Sequence, residues 1–161
     1  MHVCRLLIIV FVVLMSSCER SSSNKELEAQ MIKPQVLKPQ SIKPIVAGLV
    51  IRATRASQGE TVAYLHFYNP HRKNIVLNYI HSPVADRIEV HRFLYLAGKK
   101  QAQEVRHLSL DPSVSVDFKP GGYHLKLFGL IGELNTGDTV EVNFEFEGLP
   151  AISVAAEVRP L

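Results

Sequence analysis

A run of period-two alternation decides the fold class of this chain before any other feature. Val140, Val142, Phe144 and Phe146 alternate with Glu141, Asn143, Glu145 and Glu147. Successive side chains of an extended strand point to opposite faces, so this segment buries one face and wets the other. The turn Asn135-Thr136-Gly137-Asp138 precedes it. Val114, Val116 and Phe118 alternate in the same way with Ser113, Ser115 and Asp117, and Pro120-Gly121-Gly122 closes that strand. The pattern predicts further strands at Val46–Thr54, Thr61–Tyr68, Ile75–Ile80, Ile88–Leu96, Ala102–Leu108, Tyr123–Leu127 and Ile152–Val158. No long stretch carries helical periodicity beyond a turn at Leu127–Leu134. Many short strands with turns between them, and no alternating helices, make an all-β chain: an antiparallel sandwich or barrel.

The placement of sulfur limits what such a domain can do. The only cysteines are Cys4 and Cys18, and all three methionines lie at or before position 31. The β region therefore has no disulfide, no thiolate nucleophile and no Cys-based zinc or iron–sulfur site. A blue-copper centre, which needs a Cys ligand, is excluded as well. The formal charge of +3 is spread along the chain. It makes no dense basic patch, so no nucleic-acid partner is expected. No Ser–His–Asp arrangement, P-loop, paired-carboxylate signature or HExxH occurs, and no enzymatic activity is expected.

The N-terminus reads as an export signal, residues 1–17. Arg5 supplies a positive charge, and Leu6–Met15 is an unbroken apolar run of ten residues. A transmembrane helix needs about 20 apolar residues, whereas this length suits the core of a secretory signal. Ser16 and Ser17 lead into Cys18. Apolar run, small residues and cysteine resemble a bacterial lipobox, which implies cleavage before Cys18 and lipid on that cysteine. The alternative is an ordinary secretory signal in which Cys18 is incidental. Residues 18–45 then form a tether. It holds Ser21–Ser23 and a five-residue repeat, Lys33-Pro34, Lys38-Pro39 and Lys43-Pro44. Regular proline favours an extended, semi-rigid spacer; its lysines are expected to stay solvated, with contact to anionic headgroups as the alternative. The expected location is the bacterial cell envelope, as a periplasm-facing lipoprotein on the inner or outer membrane.

Histidine is the remaining chemistry. His66, His71, His81, His91, His107 and His124 lie in the β region, from residue 46 to residue 161. Alternation sets Ile88, Val90, Leu94 and Leu96 on one face, with Glu89, His91, Phe93 and Tyr95 on the other. It sets Tyr123, Leu125 and Leu127 opposite His124 and Lys126. His91 and His124 are thus expected off the main apolar face, within reach of an exposed ligand.

Several segments, in order, resemble one family. They are Ile51-Arg52-Ala53-Thr54, Ala63-Tyr64-Leu65 with Tyr68-Asn69, and Ser82-Pro83-Val84-Ala85 with Ile88-Glu89-Val90-His91. Lys119-Pro120-Gly121-Gly122-Tyr123-His124-Leu125 and Gly137-Asp138-Thr139-Val140 follow. Together they look like the periplasmic copper chaperone family PCu(A)C. The resemblance implies a cupredoxin-like, antiparallel Greek-key β-sandwich, copper held by two His and two Met, and delivery to the CuA centre of cytochrome c oxidase. His91 and His124 fall on the family's histidine positions. Ala102 and Lys126 stand where the family has methionine. Thioethers favour Cu(I), while imidazole serves both copper states. The expectation is a histidine-based copper site, weaker for Cu(I), with His81, His107 or Glu89 as completing donors. Cytochrome c oxidase assembly proteins are the implied partners of a monomeric carrier. The competing expectation is a module that has lost its metal and binds another envelope component.

Overall fold

The computed structural model describes residues 42–160. The signal, Cys18 and most of the tether lie outside the described residues. Ten strands follow one another: β1 Ile45–Arg52, β2 Glu60–Tyr68, β3 Ile75–His81, β4 Ala85–Leu96, β5 Lys99–Glu104, β6 Leu108–Leu110, β7 Ser115–Phe118, β8 Tyr123–Leu130, β9 Thr139–Phe146 and β10 Ile152–Arg159. They form one sheet in the order β5-β4-β8-β7-β2-β1-β10-β9-β3-β6. The sheet folds over so that β3 and β4 pack together without pairing their backbones. The all-β architecture is as the alternation predicts.

The core forms where the apolar faces meet. Phe67 is fully buried, with Phe144 at 6.2 Å and Phe146 at 5.5 Å between ring centroids, both edge-on. Edge-to-face contact sets the positive rim of one ring against the negative face of the next. Ile51, Leu125, Leu127, Val142 and Val158 fill in around them. Gln40–Leu161 is one compact unit, and every buried apolar residue described belongs to it. The unit thus carries a complete core and folds by itself.

Three expectations are corrected. The sheet is not wholly antiparallel, because β1 pairs β10 in parallel, Ile51 opposite Val158. The two strands start from the same end of the domain, which no local pattern reveals. The strand expected at Ala102–Leu108 is two strands on opposite edges of the sheet, β5 beside β4 and β6 beside β3. Leu108 and Leu110 are buried while all of β5 is exposed, so the chain leaves one edge to cap the other. The turn expected at Leu127–Leu134 is instead the continuation of β8 to Leu130.

Gly129 shows why β8 extends. It has φ of +63° in mid-strand, and a Cβ there would run into the Asp86 carboxylate. Asp86 lies across from it on β4, between the pairs Ala85–Leu130 and Arg87–Phe128. Gly129→Ala is expected to lower stability by about 2–3 kcal/mol, the sum of a left-handed backbone and a displaced side chain. Gly148 also has positive φ but open space around it. Gly148→Ala should therefore lose only the backbone part, about 1 kcal/mol. Urea unfolding of the two variants of residues 40–161 checks the order, and equal midpoints would refute the steric part.

Candidate functional site

The candidate site forms where β4 and β8 run side by side. His91 pairs with His124 across the ladder, flanked by the pairs Glu89–Lys126 and Arg92–Tyr123. Directly opposed residues share a face, so the two imidazoles are neighbours, with ring centroids 5.8 Å apart and planes tilted by 41°. Residues 33 positions apart in sequence are thus brought together by register alone.

Both rings occupy the face that alternation assigns them, but that face is not open. His124 is buried, and the His91 side chain is 13% exposed. Phe93 stacks on His124 at 5.0 Å with a 24° tilt, and Phe128 approaches His91 at 6.2 Å. Cations then cover the aromatics. Lys100 Nζ lies 4.3 Å from the Phe93 centroid, and the Arg87 guanidinium lies 4.1 Å from that of Phe128. Each contact pairs a positive group with an electron-rich ring face. Reading β4 or β8 singly misses this cover, because it comes from both strands and from β5.

Hydrogen bonds fix which nitrogen of each ring is free. His124 Nδ1 lies 3.1 Å from the Gly122 carbonyl oxygen. A carbonyl only accepts, so Nδ1 carries the proton and Nε2 keeps its lone pair. His91 Nε2 lies 2.8 Å from Glu89 Oε2 and donates to it. His91 Nδ1, the other ring nitrogen, is buried and has no hydrogen-bond partner. A carboxylate or carbonyl behind an imidazole is the usual support of a metal-ligating histidine.

Electrostatics keeps His124 ready to bind a cation. Burial pushes the His124 imidazole below its ordinary pKa, against the pull of the Gly122 carbonyl; His91, Lys126 and Lys100 lower it further. His124 is therefore neutral at pH 7, the form that binds metal. The hydrogen bond from His91 is the main cause holding the Glu89 carboxyl below its usual range, followed by help from Arg87. Glu89 Oε1 also accepts from Arg87 Nε at 2.8 Å. Glu89 is charged and fully engaged behind the pair.

The separation fits one shared ion. A metal–imidazole bond of about 2 Å places the ion roughly 3 Å from a ring centroid, so two rings sharing it stand at most about 6 Å apart. The orphaned Nδ1 of His91 fits as well. A complete shell does not: among the described residues no three His, Cys, Asp or Glu side chains converge. Glu104 is opposite His91 in the ladder, but turns to Arg106 at 3.5 Å. Lys126 pairs with Glu60, 3.1 Å off, and its Nζ lies 4.7 Å from the Phe128 centroid.

The other histidines lie elsewhere. His81 stacks on Tyr79 and faces Glu145 on β9, and His107 is exposed between β5 and β6. Neither joins the pair. His66 on β2 bonds Asp117 on β7 at 2.7 Å. His71 sits in the loop after β2.

Comparison with known proteins agrees with this architecture. The solved structure of a copper-bound PCuAC domain from PmoF2 superposes with a TM-score of 0.63 at 18% identity, covering 74% of this chain and 95% of that one. The solution structure of CuI-DR1885 from Deinococcus radiodurans gives 0.57 at 24% identity, covering 71% and 76%. Among curated sequences, "Uncharacterized protein RP573" of Rickettsia prowazekii (strain Madrid E) is 29% identical over 85 residues. That match takes in 52% of this chain, and the chain spans about half the length of that relative (47%). The family model described as LpqE-like matches residues 45–158, from the first strand to the last. The chain therefore belongs to the LpqE-like family, and its domain has the fold of the PCuAC domains.

Proposed function

We propose that this chain is a copper carrier of the bacterial cell envelope, in which His91 and His124 share one copper ion. The observation that carries the reading is the pair itself: two imidazoles side by side, each with one nitrogen engaged behind it and the other nitrogen left over. The copper-bound state of the PmoF2 domain and of DR1885 supports copper as the cargo. Cys18 is proposed as the lipid anchor and residues 18–45 as its tether. Tethering raises the effective concentration of a carrier at a membrane-bound acceptor. The CuA centre of cytochrome c oxidase is the proposed acceptor type. A site with two protein donors leaves positions open, which suits release by ligand exchange.

The test is a titration of residues 40–161 with Cu(I) and with Cu(II), beside His91→Ala/His124→Ala. One equivalent is expected to bind to the parent, at least ten-fold more tightly than to the double variant. Equal, weak binding by both refutes the reading.

Lys126 favours a second reading. Its ammonium, paired with Glu60, stands where the family has a thioether, and Phe93 covers His124 as it would in a packing contact. In that reading the pair is structural and the domain binds a non-metal envelope component. The same titration separates the two readings.

A further inference from the structure

The strand registers place one set of exposed residues at a single end of the domain. Ile45 pairs with Tyr68, and Tyr68 with Ser115, so the starts of β1 and β7 are level with the end of β2. Leu125 pairs with both Ala63 and Val90. Counting five residues on from each brings Tyr95 level with Tyr68. The tip of the β4–β5 hairpin thus stands at the same end as the start of β1. Ala97 and Gly98 form that tip, both with positive φ, as a tight two-residue hairpin turn requires. Lys100 Nζ lies 3.6 Å from where a Cβ on Gly121 would be, so the hairpin lies over the turn between β7 and β8.

This end is apolar and cationic together. Seven large hydrophobic side chains are exposed among the described residues, and five of them are here: Ile42, Ile45, Tyr95, Leu96 and Val114. Tyr95, on the hairpin, is 75% exposed. Lys43, Arg72, Lys73, Lys99, Lys100 and Lys119 surround them, all exposed. Among the described residues none of these six forms an ion pair. Asp111, Asp117 and Glu147 are the acids near them, and Asp117 is bonded to His66. The opposite end mixes the two signs, with Glu60, Asp86, Glu133, Asp138 and Glu157 among Arg52, Arg55, Arg87 and Arg159.

We infer that this end of the domain docks on an anionic lipid bilayer, with Tyr95 and Leu96 entering the headgroup layer and the surrounding lysines resting on phosphates. Scattered exposed apolar residues mean little; five gathered at one end, beside cations that form no ion pair among the described residues, are what an anionic interface attracts. Tyrosine suits that depth because its ring is apolar and its hydroxyl stays wet. Chain connectivity points the same way. Residues 1–41, which include Cys18 and two more Lys-Pro pairs, join the domain at this end. Tyr95 is four strand steps from His91, so docking holds the histidine pair roughly 13 Å from the hairpin's insertion point. The inference goes beyond the copper reading and stands without it, since the docking residues are not the histidines.

Residues 40–161, which lack Cys18, test the docking free of any anchor. The fragment is spun with vesicles of phosphatidylglycerol and phosphatidylethanolamine, and separately with vesicles of phosphatidylcholine. Binding to the anionic vesicles is expected to be at least ten-fold tighter and to weaken with salt. A juxtamembrane lysine is worth about five-fold in partitioning. Tyr95→Ser/Leu96→Ser/Lys99→Glu/Lys100→Glu should therefore lose at least ten-fold, while Ile131→Ser at the opposite end should bind as the parent does. Because the quadruple variant alters a hairpin, paramagnetic headgroup lipids give a second readout on the parent. They should broaden the NMR signals of Ile45, Leu96 and Val114 and spare Ile131. Equal binding to both vesicle types, no binding to either, or broadening centred on Ile131 overturns the inference. Copper titration is unaffected by any of these outcomes, so the two readings fail separately.

Discussion

Asn69→Leu is expected to destabilise the domain by about 3–5 kcal/mol, the largest effect of any single polar substitution in it. Asn69 is completely buried. Its Nδ2 lies 2.9 Å from the carbonyl oxygens of Lys73 and Leu110 and 3.0 Å from that of Asp111, so its two hydrogens serve three acceptors, one of them shared. Its Oδ1 accepts from the His71 amide at 2.9 Å, and its own amide donates to the Val114 carbonyl at 3.0 Å. One side chain thus ties the loop after β2 to the segment joining β6 to β7. Leucine fits the volume and satisfies none of these groups, leaving the carbonyls and the His71 amide without a partner in the interior. About three-fifths or more of a typical margin of about 5 kcal/mol is then gone. The midpoint of thermal unfolding of residues 40–161 should fall by roughly 10–20 °C. Asn69→Asp separates shape from donors. It keeps the acceptor for His71 but aims a carboxylate at three carbonyls, so it should be no better than leucine at pH 7. A fall of less than about 3 °C in Asn69→Leu would show that water replaces the lost bonds.

That residue also marks where the sequence stops being readable. Tyr68-Asn69 is among the segments that resemble the PCu(A)C family, yet nothing local says that Asn69 is a staple. Its partners Leu110 and Asp111 are 41 and 42 positions away. The alternation of Val140–Phe146 was legible because a strand buried on one face writes that burial into every second residue. The bounds of β5 were misplaced for the same reason in reverse. Lys99–Glu104 is exposed on both faces at a sheet edge, and a strand that buries nothing has no pattern to write. Its lysines and glutamines, poor templates for further pairing, are what an unprotected edge tolerates. The parallel pairing of β1 with β10 depends on how the sheet closes, which is a property of the whole chain. At the candidate site, alternation placed His91 and His124 on the right face, and the resemblance singled out the same two residues. What neither gave is the burial of that face, because Phe93, Phe128, Lys100 and Arg87 come together only once β4, β5 and β8 are aligned.

Ala102→Met/Lys126→Met is expected to raise the affinity for Cu(I) by on the order of a hundred-fold, provided that His91 and His124 hold the ion. Both positions lie on the imidazole face. Lys126 is two residues from His124, about 7 Å along the strand and within reach of a long side chain. Ala102 is opposite Phe93, itself two residues from His91. The argument has two parts with different signatures. Removing the Lys126 charge lessens repulsion of any cation. A unit charge several ångströms away, in a partly buried setting and softened by Glu60, accounts for about ten-fold. That part should favour Cu(I) and Cu(II), and Lys126→Gln isolates it. The thioethers supply soft donors, which favour Cu(I) over Cu(II). Competition against a chromophoric chelator should therefore give a Cu(I) gain well above the Lys126→Gln gain, with a much smaller difference for Cu(II). Methionine is flexible enough to enter the space beside Phe93 without displacing it. If the double variant binds Cu(I) no more tightly than Lys126→Gln, the two thioethers are not beside the metal, and the ion is not shared by His91 and His124.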